Sequence, residues 1–295
     1  SSPVCTIAGG AVSGSFTVAA GAAGLYKVIV TGATGDASSA WFTVRLTPPA
    51  SPPASFFHPS REFWFSRYDM LNAQWDAVHI VNVGAATATV QITIGGTGIS
   101  DTFTLGAGQA TYRTYQGYAG GPLHVASDQL IWATQRVLGW TAMQEIYGMP
   151  GDASSTDIIS TWYDLVGAQS DDVWVVNPSI SQTASVDIKV AGVLRGHLDV
   201  APGQERVASF PGVAGGPLRI SSSIPVFASQ RVIGFGDFCE IIGLPTWYTF
   251  TETWFNWYDM KGAQWDAIHM LNPSASAANV DIYIGGVLRD SLTLG

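Results

Sequence analysis

Four sets of recurring polar residues have the side-chain types that could carry chemistry. Asp69, Asp164 and Asp259 recur at a fixed interval, as do Asp76, Asp171 and Asp266, Arg136 with Arg231, and Glu145 with Glu240. Paired carboxylates can trade a proton or hold a hard cation, and an Arg beside a carboxylate can form a buried ion pair. The recurrence favours the ion pair. A catalytic constellation is seldom reproduced several times in one chain with its halves separable, whereas a pair that fixes strand register returns in every copy. Arg136 and Arg231 are therefore expected to be largely buried, each against a carboxylate of its own repeat: Glu145 and Glu240, or Asp69 and Asp164. His79 and His269 share a repeat position that the middle copy fills with Trp174, which suits packing better than metal binding. No loop has an EF-hand ligand series, and no Gly-x-Ser-x-Gly, His-Glu-x-x-His or P-loop occurs. The chain is read as a non-enzyme with no catalytic residue, no metal site and no cofactor.

Two further residue types have two readings each. Cys5 and Cys239 are too few for a disulfide framework and too far apart for a zinc motif. They are small buried hydrophobes, or they form a bridge within or between chains. Trp64, Trp75, Trp162, Trp254, Trp257 and Trp265 cluster at the starts of the repeats. They pack the core and the contacts between domains, or they stack on sugar rings.

The elements that position these residues follow from the chain compared with itself. Tyr68-Asp69-Met70 returns 95 residues later as Tyr163-Asp164-Leu165, and again as Tyr258-Asp259-Met260. Gly120-Gly121-Pro122-Leu123 and Gln135-Arg136-Val137 each return once in the same register, at Gly215 to Leu218 and Gln230 to Val232. The organisation is then a partial segment at 1–47, a Pro/Ser-rich linker at 48–59, full repeats at 60–150 and 155–245, and half a repeat at 250–295. Val90-Gln91-Ile92-Thr93-Ile94 and its copies alternate branched apolar with variable residues, the signature of a strand with one buried face. About seven such short strands per repeat, with turn signals between them, predict tandem antiparallel β-sandwich domains in an all-β chain.

The net charge is −9 with only 13 Lys and Arg in 295 residues, which argues against a nucleic-acid partner. No apolar stretch is long enough for a membrane-spanning helix.

The segment Gly24-Leu25-Tyr26-Lys27-Val28-Ile29-Val30, followed by Ala40-Trp41-Phe42-Thr43-Val44, resembles the last strands of immunoglobulin-like domains of secreted bacterial proteins. The repeats, with Asn177-Pro178, Gly215-Gly216-Pro217-Leu218 and Pro225-Val226-Phe227-Ala228-Ser229-Gln230-Arg231-Val232, resemble tandem β-sandwich repeats of secreted and surface-attached bacterial proteins. Repeat one departs from the pattern, with Val83 for Pro and Leu130-Ile131 for Pro-Val. The resemblance implies an extracellular or cell-surface location. The expected function is structural: a subunit of an extracellular filament or surface layer, assembled head to tail with identical subunits. Residues 1–47 of one subunit would complete residues 250–295 of the next by β-strand complementation. The alternative is a carbohydrate-binding or adhesive segment of a larger secreted protein, with surface glycans as partners.

Overall fold

Val90, Ile92 and Ile94 are buried while Thr89 and Gln91 are exposed, so the two-residue alternation does turn one face of the strand Ala88–Ile94 to a core. Val186, Ile188 and Val190 do the same in the second repeat. The computed structural model describes residues 56–295 apart from 74, 140, 141, 235 and 263–265. It also describes the backbone of Val4–Ala8, Ala11–Ser15, Gly24–Thr31 and Ala37–Val44. These four strands make two antiparallel hairpins. They lie in a unit of their own, Ser1–Ser55, and Phe56–Gly295 is the second unit. Strand complementation by residues 1–47 and a bridge from Cys5 both fall outside the described residues, as do residues 48–55 of the expected linker.

The chain is all-β. The one helical element among the described residues is the 3-10 turn Gly151–Ala153. Repeat one is built on the strand Leu123–Gly139, 17 residues long. Its first part pairs antiparallel with Ser60–Phe65 and Ala88–Ile94, and its second part with Trp75–Asn82 and Ala142–Tyr147. Leu123 and Val125 point inward, the polar stretch Ser127-Asp128-Gln129 interrupts the register, and Ile131, Ala133 and Val137 point inward again. The sequence predicts two separate strands here, Leu123–Ser127 and Ile131–Leu138. The structure has one strand that passes from one sheet to the other, because the break alters pairing without reversing the chain. Ile99–Leu105 and Ala110–Arg113 extend the two sheets at their edges. The result is a sandwich-like pair of sheets around Phe63, Phe65, Tyr68, Ile92 and Ile131.

Repeat two follows the same plan. Its strand Leu218–Gly234 pairs first with Ser155–Ser160 and Ala184–Val190, then with Ser170–Val176 and Asp237–Ile242. In the third repeat the hairpin Ala278–Ile284 with Val287–Leu294 forms, but 266–272 are not in a strand. In repeats one and two that segment bonds to the long strand.

Phe56 corrects the expected boundary at residue 60. It is buried, its ring is 5.5 Å from that of Tyr248, and it packs with Trp64, Met149 and Phe227. The second unit therefore begins inside the Pro/Ser-rich stretch, where a Phe56-Phe57 pair supplies apolar area that a linker would leave wet.

Candidate functional site

The recurrent aspartates shape a loop. Asp69 N–H donates to Asp76 Oδ2 at 2.8 Å, Asp164 N–H to Asp171 Oδ2 at 2.7 Å, and Asp259 N–H to Asp266 Oδ2 at 2.8 Å. In each copy the first aspartate's Oδ1 accepts two backbone N–H groups: Leu71 and Asn72, Val166 and Gly167, Lys261 and Gly262. This corrects the expectation that Asp69 or Asp164 is the partner of the strand arginine, since their lone pairs are taken by their own turn. The cation nearest Asp69 is Arg67, at 3.9 Å. Burial acts to raise the Asp69 pKa, but the bonds from Asn72 and Leu71 outweigh it and hold the carboxyl low. Asp76 is the opposite case. Burial pushes it up to about 7 against the bonds from Asp69 N–H and Gln135 Nε2, and Asp171 rises to about 6 for the same reason.

The arginines meet the glutamates. Arg136 and Glu145 are cross-strand neighbours with Nε 2.6 Å from Oε2, and Arg231 and Glu240 repeat both the register and the distance. Their surroundings differ. The Arg231 side chain is 11% exposed and that of Arg136 is 39% exposed, so the expected burial applies to one copy only. Repeat one covers the pair of repeat two. Ser66 Oγ donates to Glu240 Oε1 at 2.5 Å, and Arg231 donates to the Arg67 carbonyl at 3.0 Å. The Gln144 amide exchanges two hydrogen bonds with the Glu240 backbone, at 2.9 and 2.5 Å.

A junction between repeats grows from this contact. The strand Ser60–Phe65 delivers the turn Ser66-Arg67 to the outer face of repeat two. The Arg67 guanidinium lies 5.1 Å from the Trp174 ring centroid, and its Nη1 is 3.3 Å from Glu205 Oε1. Burial raises Glu205 to about 7 even with Arg67 and Arg231 opposing it. The Trp64 ring stacks on His124 at 4.0 Å and faces Phe227 of repeat two at 6.2 Å. Phe238 of repeat two packs in the core cluster of repeat one. Gly121 is required here, because a Cβ would collide with the Glu205 carboxylate and with the Ser66 carbonyl.

The other aromatic candidates separate by place. Trp75 meets the His79 and Tyr112 rings edge to face, beside a groove that Trp132 also lines. Trp162 is half-exposed, with its ring edge on His269 at 5.7 Å. Trp254 and Trp257 are exposed, and Trp265 lies outside the described residues. Cys239 is exposed, with the Gln144 amide 3.9 Å from its sulfur. Among the described residues no three His, Cys, Asp or Glu side chains converge as a metal site.

The Arg67–Trp174 contact of the first junction and the Trp162–His269 contact of the second join positions that differ by 95 at both ends. One contact between repeats two and three is thus equivalent to one between repeats one and two. Sequence reasoning missed Ser66, Arg67, Gln144, Glu205 and Phe238 because it weighed what recurs. Their signal is variation: Arg67 aligns with Trp162 and Trp257, Ala110 with Glu205, and Met143 with Phe238. Comparison of the chain with protein-family models, with curated proteins and with solved structures gives no match.

Proposed function

We propose that this chain is a structural protein whose immunoglobulin-like sandwich repeats stack head to tail, and that it assembles with identical subunits into an extracellular filament or surface layer. The observation that carries the reading is a contact between repeats that returns one repeat later, 67 with 174 and 162 with 269. A contact that repeats under one displacement is heterologous, and a heterologous contact that does not close into a ring propagates without limit. The junction is also costly to leave open, since it combines stacked aromatics with a buried Arg–Glu ion pair. No helix of the described residues is long and apolar enough to cross a membrane.

Electron microscopy and sedimentation of the purified protein test this reading. Filaments or sheets with an axial repeat set by the subunit are expected. Particles that stay at 31.2 kDa across all concentrations would overturn it.

A carbohydrate-binding or adhesive role is the second reading, favoured by the exposed indoles of Trp254 and Trp257. The structural reading is preferred because Trp64 and Arg67, which hold the equivalent places in repeat one, touch protein. Glycan-array binding that is lost in Trp254→Ala would favour the second reading instead.

A further inference from the structure

The junction between repeats one and two encloses more carboxyl groups than cations. Arg67 and Arg231 are its guanidiniums, 5.1 and 6.0 Å from the centroid of the Trp174 ring. Arg231 is paired with Glu240, Nε to Oε2 at 2.6 Å. Arg67 lies between two acids, 3.9 Å from Asp69 and 3.3 Å from Glu205. Asp69 stays low against its burial, because Asn72 and Leu71 of its own turn donate to it. Glu205 is therefore the surplus acid, and its side chain is only 12% exposed.

The two oxygens of Glu205 have unlike surroundings. Oε1 accepts from Arg67 Nη1. Oε2 is buried, and among the described residues no donor reaches it. It crowds the point where a Cβ on Gly121 would sit, and the Ser66 carbonyl borders the same point. A carbonyl has no proton to give a carboxylate, but it accepts one from a carboxylic acid. Ionised Glu205 leaves a charged oxygen buried without a donor, which is strongly disfavoured. Protonated Glu205 sets an O–H beside a backbone acceptor while Oε1 still accepts from Arg67. Burial pushes this carboxyl up to about 7 against the pull of Arg67 and Arg231.

The groups that crowd Glu205 belong to repeat one: Arg67, Ser66 and Gly121. The other charged groups that act on it are Arg231 and Glu240, from the strands Leu218–Gly234 and Asp237–Ile242 of its own repeat. Its neighbouring strand, Ser170–Val176, brings the uncharged Trp174 ring to the junction. The acids of that strand are engaged elsewhere, Asp171 with Asp164 and Gln230, and Asp172 with Ser170 and Ser209. Asp76, on the strand Trp75–Asn82, feels the same Arg231 and Glu240. Repeat one has Ala110 where repeat two has Glu205, so the acid is a property of this junction and not of the repeat pattern.

We propose that Glu205 is a proton-operated latch between the first two repeats: protonated, it holds the turn Ser66-Arg67 against repeat two, and ionised, it releases that turn to water. Closing the latch takes up a proton. The carboxyl titrates at about 7 when enclosed and near the ordinary value of 4.5 when hydrated, so the closed form binds more protons between those limits. Closure is favoured at pH 4.5, loses that advantage as the pH rises to about 7, and is level above. The repeats are then held rigidly in acid and hinge more freely at neutral pH. The latch lies within one chain, so it does not rest on the assembly reading, and single subunits show it.

The Glu240 N–H reports the latch, because it donates across the junction to Gln144 Oε1 of repeat one. Hydrogen exchange of this amide in the full chain, divided by the intrinsic rate at each pH, gives the opening constant. In the wild type that constant is expected to rise on the order of 100-fold from pH 4.5 to pH 7.5. Glu205→Gln keeps Oε1 for Arg67 and sets an amide donor in place of the acid O–H. In this variant the Glu240 amide should be equally protected at both pH values, while the core amides of Ala184–Val190 keep the pH dependence that Asp171 gives them. The carboxyl carbon shift of Glu205 in the wild type is a second measurement that needs no variant, and a midpoint near 7 is expected. An opening constant that is the same at both pH values in the wild type, one that rises equally in Glu205→Gln, or a Glu205 midpoint near 4.5 would each overturn the latch.

Discussion

One residue pair in two settings separates the effect of burial from that of chemistry. Arg136–Glu145 and Arg231–Glu240 share distance and register, but only the second is enclosed. Removing one partner of a buried pair costs about 3–5 kcal/mol, whereas an exposed pair is worth about 0–1 kcal/mol. Glu240→Gln is therefore expected to lower unfolding stability in urea several times more than Glu145→Gln, and equal losses would show that the junction does not enclose the pair. Asp76 supplies a second contrast. Its carboxyl titrates at about 7 when folded and near the ordinary Asp value when unfolded, because burial penalises the charge. The folded state thus holds more protons between about pH 4 and pH 7, so this group's contribution to stability falls as pH rises through that window and is level above it. Asp171, at about 6, and Glu205, at about 7, act in the same direction. Asp76→Asn keeps an acceptor for Asp69 N–H and removes the titrating group, at the cost of one of the two oxygens that accept from Gln135 Nε2. Each unit of displacement is worth about 1.4 kcal/mol. Stability of the variant relative to wild type should therefore rise by a few kcal/mol between pH 4.5 and pH 7.5, and a pH-independent difference in urea titrations would refute the assignment.

At the level of the element, turns decide how the repeats keep step. Repeat two joins Ala184–Val190 to Val193–Val200 through Ala191 and Gly192, both at positive φ, and repeat three uses Gly285 and Gly286 at the equivalent place. Such two-residue turns match the twist of the strands they join. Ala191, at φ 51°, is the one described non-glycine residue there, and its Cβ is strained. Ala191→Gly should raise stability by up to about 1 kcal/mol, less the unfolded-state entropy that glycine adds. A lower melting temperature would show that the alanine is not strained. Repeat one instead spans Ile94 to Ile99 with a four-residue turn, and repeat two compensates with a longer preceding loop and a bulge at Ile188/Lys189. This explains why Val186 is 96 residues from Val90 while the motifs on either side keep 95. The strands themselves were legible because their alternation reports a local property, one buried face. The partner of Arg136 was legible only as a choice between Glu145 and Asp69, since spacing along the chain does not say which carboxylates a turn's own amides occupy. The junction was illegible for a different reason. Each of its residues contacts a neighbour in another repeat, so its identity follows the neighbour and not the repeat pattern.

For the molecule as a whole, the placement of Phe238 is expected to couple the opening of the first two repeats. The side chain belongs to repeat two by sequence and to the core of repeat one by packing. Around it, Arg67 and Glu205 bridge the repeats, and the Trp64–Phe227 contact joins a shared apolar cluster that also includes Phe56 and Val176. Tandem domains joined only by a linker open independently, but here opening repeat two strips part of the core from repeat one. Backbone amides of Ala88–Ile94 and Ala184–Val190, central strands of different repeats, should then exchange hydrogen with the same limiting free energy. Phe238→Ala removes the shared ring at about 3–5 kcal/mol, the usual loss for a core phenylalanine. Its further consequence is diagnostic, because the two strands should part in protection once the coupling is cut. Repeat two, which keeps its own cluster around Ile188 and Val226, would retain more of its protection than repeat one. Native-state hydrogen exchange on the full chain measures both strands in one experiment. Unequal limiting protection already present in the wild type would mean that the repeats open separately and that the junction is a contact rather than a shared core.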